Sequence, residues 1–327
     1  MRTVEDIFVR TSNDAPTGID RVEMAYAHHL EAHYAHCTRY LVTLNGYPQI
    51  IPSAIMRKFL RATEAVWNDA PALHSVDAVA YAADFLNIPS GILREGTEKD
   101  TRRKGRSVAR KLWGANILLR SSIGQVRPRR IWAFNRGLRR SVYINVSHEN
   151  LDNPHIARWL EQEGVSGSVF MVHDLIPITH PEFVKEKAPE RHMRRIKTIG
   201  HNASYILANS KYTGDCLSSY LPQNHISCPP IRIAPLGIEN IFTTPHSCSQ
   251  NVPPYFVFVS TIEPRKNHIF LLQIWARLVE EMGAAAPRLV LVGRRGWENE
   301  NAIDLLAACR VGHFAADNAE ADPAYAA

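Results

Sequence analysis

The alternation of apolar and polar positions along the chain changes period repeatedly, and the sharpest change lies between Tyr255 and Trp297. Tyr255-Phe256-Val257-Phe258-Val259 is an uninterrupted apolar run, which predicts a buried parallel strand. The polar loop Ser260 to Asn267 follows. From there the apolar spacing becomes helical, with Ile269, Leu272, Trp275, Ala276 and Val279 predicted on one face. A second apolar run, Leu289 to Val292, precedes Gly293-Arg294-Arg295-Gly296. Strand, helix and strand in this order make a βαβ unit with Arg265 and Lys266 at the carboxyl end of its first strand. Open α/β sheets bind ligands at that edge. A phosphate there would meet a helix N-terminus and two charged donors.

The same alternation runs through the first two thirds of the chain. Ile7-Phe8-Val9 is a short strand candidate. A helix opens at Thr17-Gly18-Ile19-Asp20, with Asp20 as candidate cap, and carries Val22, Met24, Leu30 and Tyr34. Arg39 to Leu44 reads as the next strand. Val142 to Val146, Val169 to His173 and Ser204 to Ala208 are three further strands. They end in the polar pairs Ser147-His148, His173-Asp174 and Asn209-Ser210, a pattern that suits a ligand crevice along one sheet edge. Helices are expected at Glu186 to Gly200 and Lys211 to Tyr220, the second capped by Asn209 or Ser210. Seven prolines between Pro222 and Pro254 break the pattern. The division predicted is residues 1–238 as one Rossmann-like domain, 239–254 as a linker, and 255–327 as a partial second domain. After Leu306 the pattern dissolves into an Ala-rich tail in which no third buried strand is expected.

Composition narrows the class. The 327 residues are 45% hydrophobic and 21% charged, a globular balance. No apolar run is long enough to span a bilayer, and the first ten residues lack the apolar core of a secretion signal. Five cysteines are scattered, with no CxxC pair, so neither a disulfide framework nor a zinc site is indicated. A reducing cytoplasm is the expected setting. The net charge of +6 is concentrated: residues 102–140 hold thirteen Lys or Arg and no Asp or Glu, leaving 25 cations against 32 anions elsewhere. Trp113, Leu118, Leu119, Ile131, Trp132 and Phe134 are interleaved with those cations. That composition suits the face of an anionic membrane; a solvated loop ranks second and a nucleic-acid surface a distant third.

Six short motifs, in order, carry a resemblance. They are Thr17 to Val22, Val172-His173-Asp174-Leu175-Ile176-Pro177, Ala208-Asn209-Ser210-Lys211-Tyr212-Thr213, Pro235-Leu236-Gly237-Ile238, Thr261 to Asn267, and Leu291 to Trp297. Together they resemble the group 1 glycosyltransferases, retaining enzymes of GT-B architecture with two facing Rossmann-like domains. The Thr-Ile-Glu-Pro-Arg-Lys-Asn loop is similar to that of a subgroup assigned to bacterial surface-polysaccharide synthesis, where mannosyl transfer is common. The resemblance implies an α/β fold with a complete first domain and an incomplete second one. It implies sugar transfer with retention, without metal or cofactor, from GDP-mannose or a UDP-sugar to a lipid-linked or saccharide acceptor. The setting implied is cytoplasmic, peripheral at the inner face of the plasma membrane.

By the same resemblance, Gly18, Arg265 and Lys266 would hold the donor diphosphate, and His173 and Asp174 would serve the reacting sugar. Gly293 and Arg294 would touch the nucleotide. Each has a plainer alternative. Gly18 can be a helix-entry turn, His173 a strand-end histidine, Asp174 an Asx-turn residue, Glu263 the ion-pair partner of a nearby arginine, and Arg294-Arg295 a solvated turn. The family's later motif, two glutamates eight positions apart among glycines and prolines, has no counterpart after Trp297. Two further readings follow. One is a truncated, catalytically inactive remnant. The other is a basic membrane- or nucleic-acid-associated binding protein.

Overall fold

The computed structural model describes residues 16–44, 47–69, 140–148, 150–153, 159–160, 165–238, 243, 253–293, 295–308 and 313–315. Within these the protein is mixed α/β and divides into two compact units, with the break between Glu239 and Asn240. The strand candidate Ile7 to Val9 and nearly all of the basic segment, residues 102–139, lie outside the described residues.

The first unit opens with helix α1, Gly18–Tyr34. Its start is set by a capping box: Thr17 Oγ1 accepts from Asp20 N–H at 3.3 Å, and Asp20 Oδ2 accepts from Thr17 N–H at 2.7 Å. The cap is therefore Thr17, and Asp20 is its reciprocal partner rather than the cap the sequence suggested. Strands β1 (Tyr40–Leu44) and β2 (Tyr47–Ile51) form an antiparallel pair, followed by helix α2 (Ser53–Asp69). Met24, Ala27, Tyr40, Ile51, Met56, Phe59 and Leu60 make a small core among these elements.

The main body of the unit is a parallel sheet in strand order β3 (Val142–Asn145), β4 (Gly167–Val172), β5 (Tyr205–Ala208), β6 (Ile231–Ile233). Parallel neighbours need crossover connections. Helix α3 (Ile176–Thr179), a 3-10 turn at Pro181–Phe183 and helix α4 (Ala188–Asn202) join β4 to β5, and helix α5 (Lys211–Gln223) joins β5 to β6. Ser210 caps α5, its Oγ accepting from Thr213 N–H at 3.1 Å. Phe170, Val172, Ile196, Ile199, Ile206, Leu217 and Leu221 form the large core. The buried α4 positions, His192, Ile196, Ile199 and Gly200, recur at helical spacing, and Ile196 and Ile199 of this stripe join the core.

The second unit has strand β7 (Tyr255–Val259), a 3-10 turn at Pro264–Lys266, helix α6 (His268–Met282), strand β8 (Arg288–Gly293), helix α7 (Glu300–Ala308) and strand β9 (His313–Ala315). The sheet is parallel in the order β7-β8-β9. A short third strand, β9, follows Leu306, where the sequence pattern predicted no third buried strand. Two expectations fail. The β7 run is apolar but not buried: Tyr255, Phe256, Val257 and Val259 are exposed, because β7 is an edge strand with no neighbour on its outer side among the described residues. The buried face of α6 is His268, Leu272 and Trp275, so Ile269, Ala276 and Val279 of the predicted stripe point outward. Leu272, Trp275, Leu289, Leu291 and Leu306 form the core of this unit.

No described helix is long and apolar enough to cross a membrane.

Candidate functional site

The carboxyl edge of the four-stranded sheet holds three buried histidines. Asn145 ends β3, and its Oδ1 accepts from Ser147 N–H at 3.1 Å, turning the chain into His148. His148 itself has φ 63°, a left-handed backbone that a non-glycine residue adopts only where packing holds it. Its ring lies 5.2 Å from that of His173, which follows β4, and 5.3 Å from that of His192 on α4. The hydrogen bonds assign one tautomer to each ring. His173 Nε2–H donates to the Val146 carbonyl at 2.7 Å, and His192 Nε2–H donates to the Asp174 carbonyl at 3.0 Å. His148 Nε2 accepts from the His173 backbone N–H at 3.2 Å, so its proton is on Nδ1, toward the Met171 carbonyl.

Burial favours the neutral form of all three rings. It holds His148 well below the usual imidazole value, reinforced by the charge His192 and His173 would carry and by Arg195. Burial also lowers His173 and His192, against the opposing pull of carbonyl hydrogen bonds and of Asp174. A neutral His173 with its Nε2 proton committed to Val146 offers the Nδ1 lone pair as an acceptor for a hydroxyl. His148 and His192 were not among the residues expected here. The signals existed: His148 sits just past a strand end, and His192 shares the 192/196/199 stripe.

Asp174 follows directly. Its Oδ1 accepts from Ile176 N–H at 3.1 Å, the Asx turn that starts α3, while its carbonyl takes the His192 proton. Gly18 is the exposed first residue of α1, and nothing lies within 4 Å of where a Cβ would stand. That open space would admit a ligand against the backbone, although the capping box alone accounts for the turn.

The second group of candidate residues belongs to the second unit. The 3-10 turn Pro264–Lys266 ends at Asn267, which has φ 54° and begins α6 without a side-chain cap. The first helical N–H groups therefore lack side-chain acceptors. Arg265 Nη2 donates to Glu263 Oε1 at 2.6 Å, so Glu263 is the arginine's ion-pair partner. Lys266 makes no side-chain hydrogen bond or ion pair among the described residues. Ser260 Oγ lies 3.2 Å from Nε2 of the buried His268, whose ionisation burial disfavours against the opposing pull of Glu263, with the Lys266 charge adding a smaller effect in the same direction as burial.

The neighbouring loop is strapped to this turn. Ile262 and Arg295 form a parallel bridge, and Gly296 N–H donates to the Ile262 carbonyl at 2.9 Å. Arg295 in turn holds Asn299 Oδ1 through Nε at 3.2 Å and Nη2 at 3.1 Å. Gly293 has a packing reason of its own, since a Cβ there would collide with the Ser260 carbonyl. Arg294 lies outside the described residues.

Gly18, His173 and Asp174 are thus in the first unit, and Arg265, Lys266 and Gly293 in the second. Each group sits where its own sheet or helix ends. No group of three or more His, Cys, Asp or Glu placed to hold a metal occurs among the described residues. No protein-family model matches this chain, and no curated protein matches it.

Proposed function

We propose that this chain is a retaining glycosyltransferase of GT-B type that handles a nucleotide-sugar donor, GDP-mannose before a UDP-sugar. The observation that carries the reading is the turn between β7 and α6. A lysine with no side-chain partner among the described residues and a helix N-terminus without a side-chain cap stand together at the carboxyl edge of a parallel sheet. A diphosphate there would gain charge-assisted hydrogen bonds from Lys266 and helix-end N–H groups. Arg265 would add its guanidinium, with Glu263 keeping that side chain oriented. Transfer needs this charge, because the nucleoside diphosphate must leave with its developing negative charge stabilised. His173, neutral and with Nδ1 left to accept, would orient a sugar hydroxyl, and the exposed Gly18 would admit phosphate oxygens to its backbone. In this reading Asp174 sets the turn that places His173. Residues 102–140 would hold the protein at the cytoplasmic face of an anionic membrane, where a lipid-linked or saccharide acceptor is presented.

Calorimetry with GDP-mannose and with UDP-glucose tests the donor site. One charge-assisted hydrogen bond contributes about 1.5–3 kcal/mol, so Lys266→Ala should weaken binding by roughly 10- to 150-fold. Equal affinity of wild type and variant would remove the phosphate assignment. Absence of binding to either donor would remove the glycosyltransferase reading itself.

A further inference from the structure

Helix α1 carries a concentration of imidazoles that the site described above does not use. Four of the chain's 15 histidines, His28, His29, His33 and His36, fall within nine residues. Short histidine-rich tracts are a recurrent metal-binding composition. The fold sorts these four. The buried positions of α1, Asp20, Glu23, Met24 and Ala27, turn one face of the helix inward, and Met24 and Ala27 join the small core. His28 is on the α2 side, its Nε2 3.5 Å from Glu64 Oε2. His29 and His33 are exposed. They stand four residues apart, so their side chains lie next to each other on one helix face.

Those two rings meet. Their centroids are 4.7 Å apart and their planes are tilted by 47°, so parallel stacking does not account for the approach. Neither ring makes a hydrogen bond or ion pair among the described residues. The separation suits a shared ion. Metal–nitrogen bonds of about 2.0–2.1 Å put each imidazole centre about 3.2 Å from the ion, and bond angles of about 90° to 109° then put the two centres about 4.5–5.2 Å apart. Exposed rings turn about χ2 without meeting the core, so each can aim a nitrogen at the ion.

We propose that His29 and His33 form a two-imidazole site for a divalent first-row metal ion, Zn²⁺ or Cu²⁺, on the outer face of α1. Imidazole nitrogen suits these ions, whereas Mg²⁺ and Ca²⁺ take oxygen ligands. Histidines at i and i+4 on one helix face are a zinc-ligating spacing. The nearby carboxylates are engaged elsewhere: Glu31 pairs with Arg57 at 3.3 Å, and Glu64 faces His28. Water therefore fills the remaining positions, unlike a closed structural zinc site with four protein ligands. The unfolded chain does not hold the two rings side by side, so the ion stabilises the folded helix. The site stands whether or not the chain handles a nucleotide sugar.

Calorimetric titration of the full chain with ZnCl₂ and with CuCl₂ at pH 7.5 tests it, with MgCl₂ as the blank. The strongest site should take one ion per chain. His29→Gln and His33→Gln should each weaken it on the order of a hundredfold, as removal of one of two linked ligands does. His201→Gln should change nothing, since that exposed ring stands on α4 with Nδ1–H donating to the Lys197 carbonyl at 2.8 Å. Electron paramagnetic resonance of the Cu²⁺ form should show two coordinated imidazole nitrogens in the wild type and one in either variant. Zn²⁺ should raise the urea midpoint of the wild type but not of His33→Gln, with circular dichroism confirming that both are folded. No saturable binding, one ion per two chains, or an affinity indifferent to both His29→Gln and His33→Gln would overturn the proposal.

Discussion

Acid should unfold the first unit through its histidine cluster. His148, His173 and His192 are buried together and held neutral, with Arg195 adding positive potential and Asp174 opposing it. Each has a folded pKa below its unfolded value. At neutral pH and above, both states are unprotonated and the cluster's full stability is present. As the pH falls through about 6.5, the unfolded chain takes up protons that the folded one refuses, and stability declines. One such group gives a slope of about 1.4 kcal/mol per pH unit. Three uncoupled groups set a ceiling of about 4 kcal/mol per unit, against a typical domain stability of about 5–15 kcal/mol.

Urea unfolding between pH 7.5 and 5.5 measures this, with hydrogen exchange on the β3 and β4 peptides isolating the first unit. His148→Asn is the control. Asparagine tolerates the left-handed backbone at position 148, and removing one titrating ring should lessen the slope by about a third. A stability that stays flat from pH 7.5 to 5.5, or a slope unchanged by His148→Asn, would refute the assignment of neutral, desolvated rings.

Two glycine and cap predictions follow from local geometry. Gly293→Ala should unfold the second unit or leave it protease-sensitive, because its Cβ has no room beside the Ser260 carbonyl, whereas Gly237→Ala, with nothing within 4 Å, should be silent; limited proteolysis separates the two. Ser210→Ala should cost about 1 kcal/mol by loss of the bond to Thr213 N–H, read as a lower urea midpoint with unchanged slope.

Much of the scaffold was legible in the residues. The runs around Ile144, Phe170, Ile206 and Leu291 are strands in parallel sheets, and Ser210 caps the helix it precedes. The hairpin of β1 and β2 was missed, although Asn45-Gly46 between those strands is a dipeptide that favours two-residue hairpin loops. Glu263 pairs with Arg265 at short range, as loop neighbours of opposite charge do. The histidine cluster was only half visible. Its members are 25 and 19 residues apart in sequence, and no local pattern announces that β3, β4 and α4 converge.

Taken alone, the sequence determined strands β1, β3, β4, β5, β7 and β8 and helices α1, α4, α5 and α6, because periodicity and caps are local properties of side-chain spacing and backbone hydrogen bonding. It also placed Arg265 and Lys266 at the end of a strand. Tertiary structure decided which apolar runs are covered. Burial depends on neighbours rather than on a residue's own hydrophobicity, so β7 reads as an interior strand yet stands at an edge. The same holds for charge. His148 is held neutral first by burial at the sheet edge and then by two other rings, which only the folded chain brings within 5.3 Å of it.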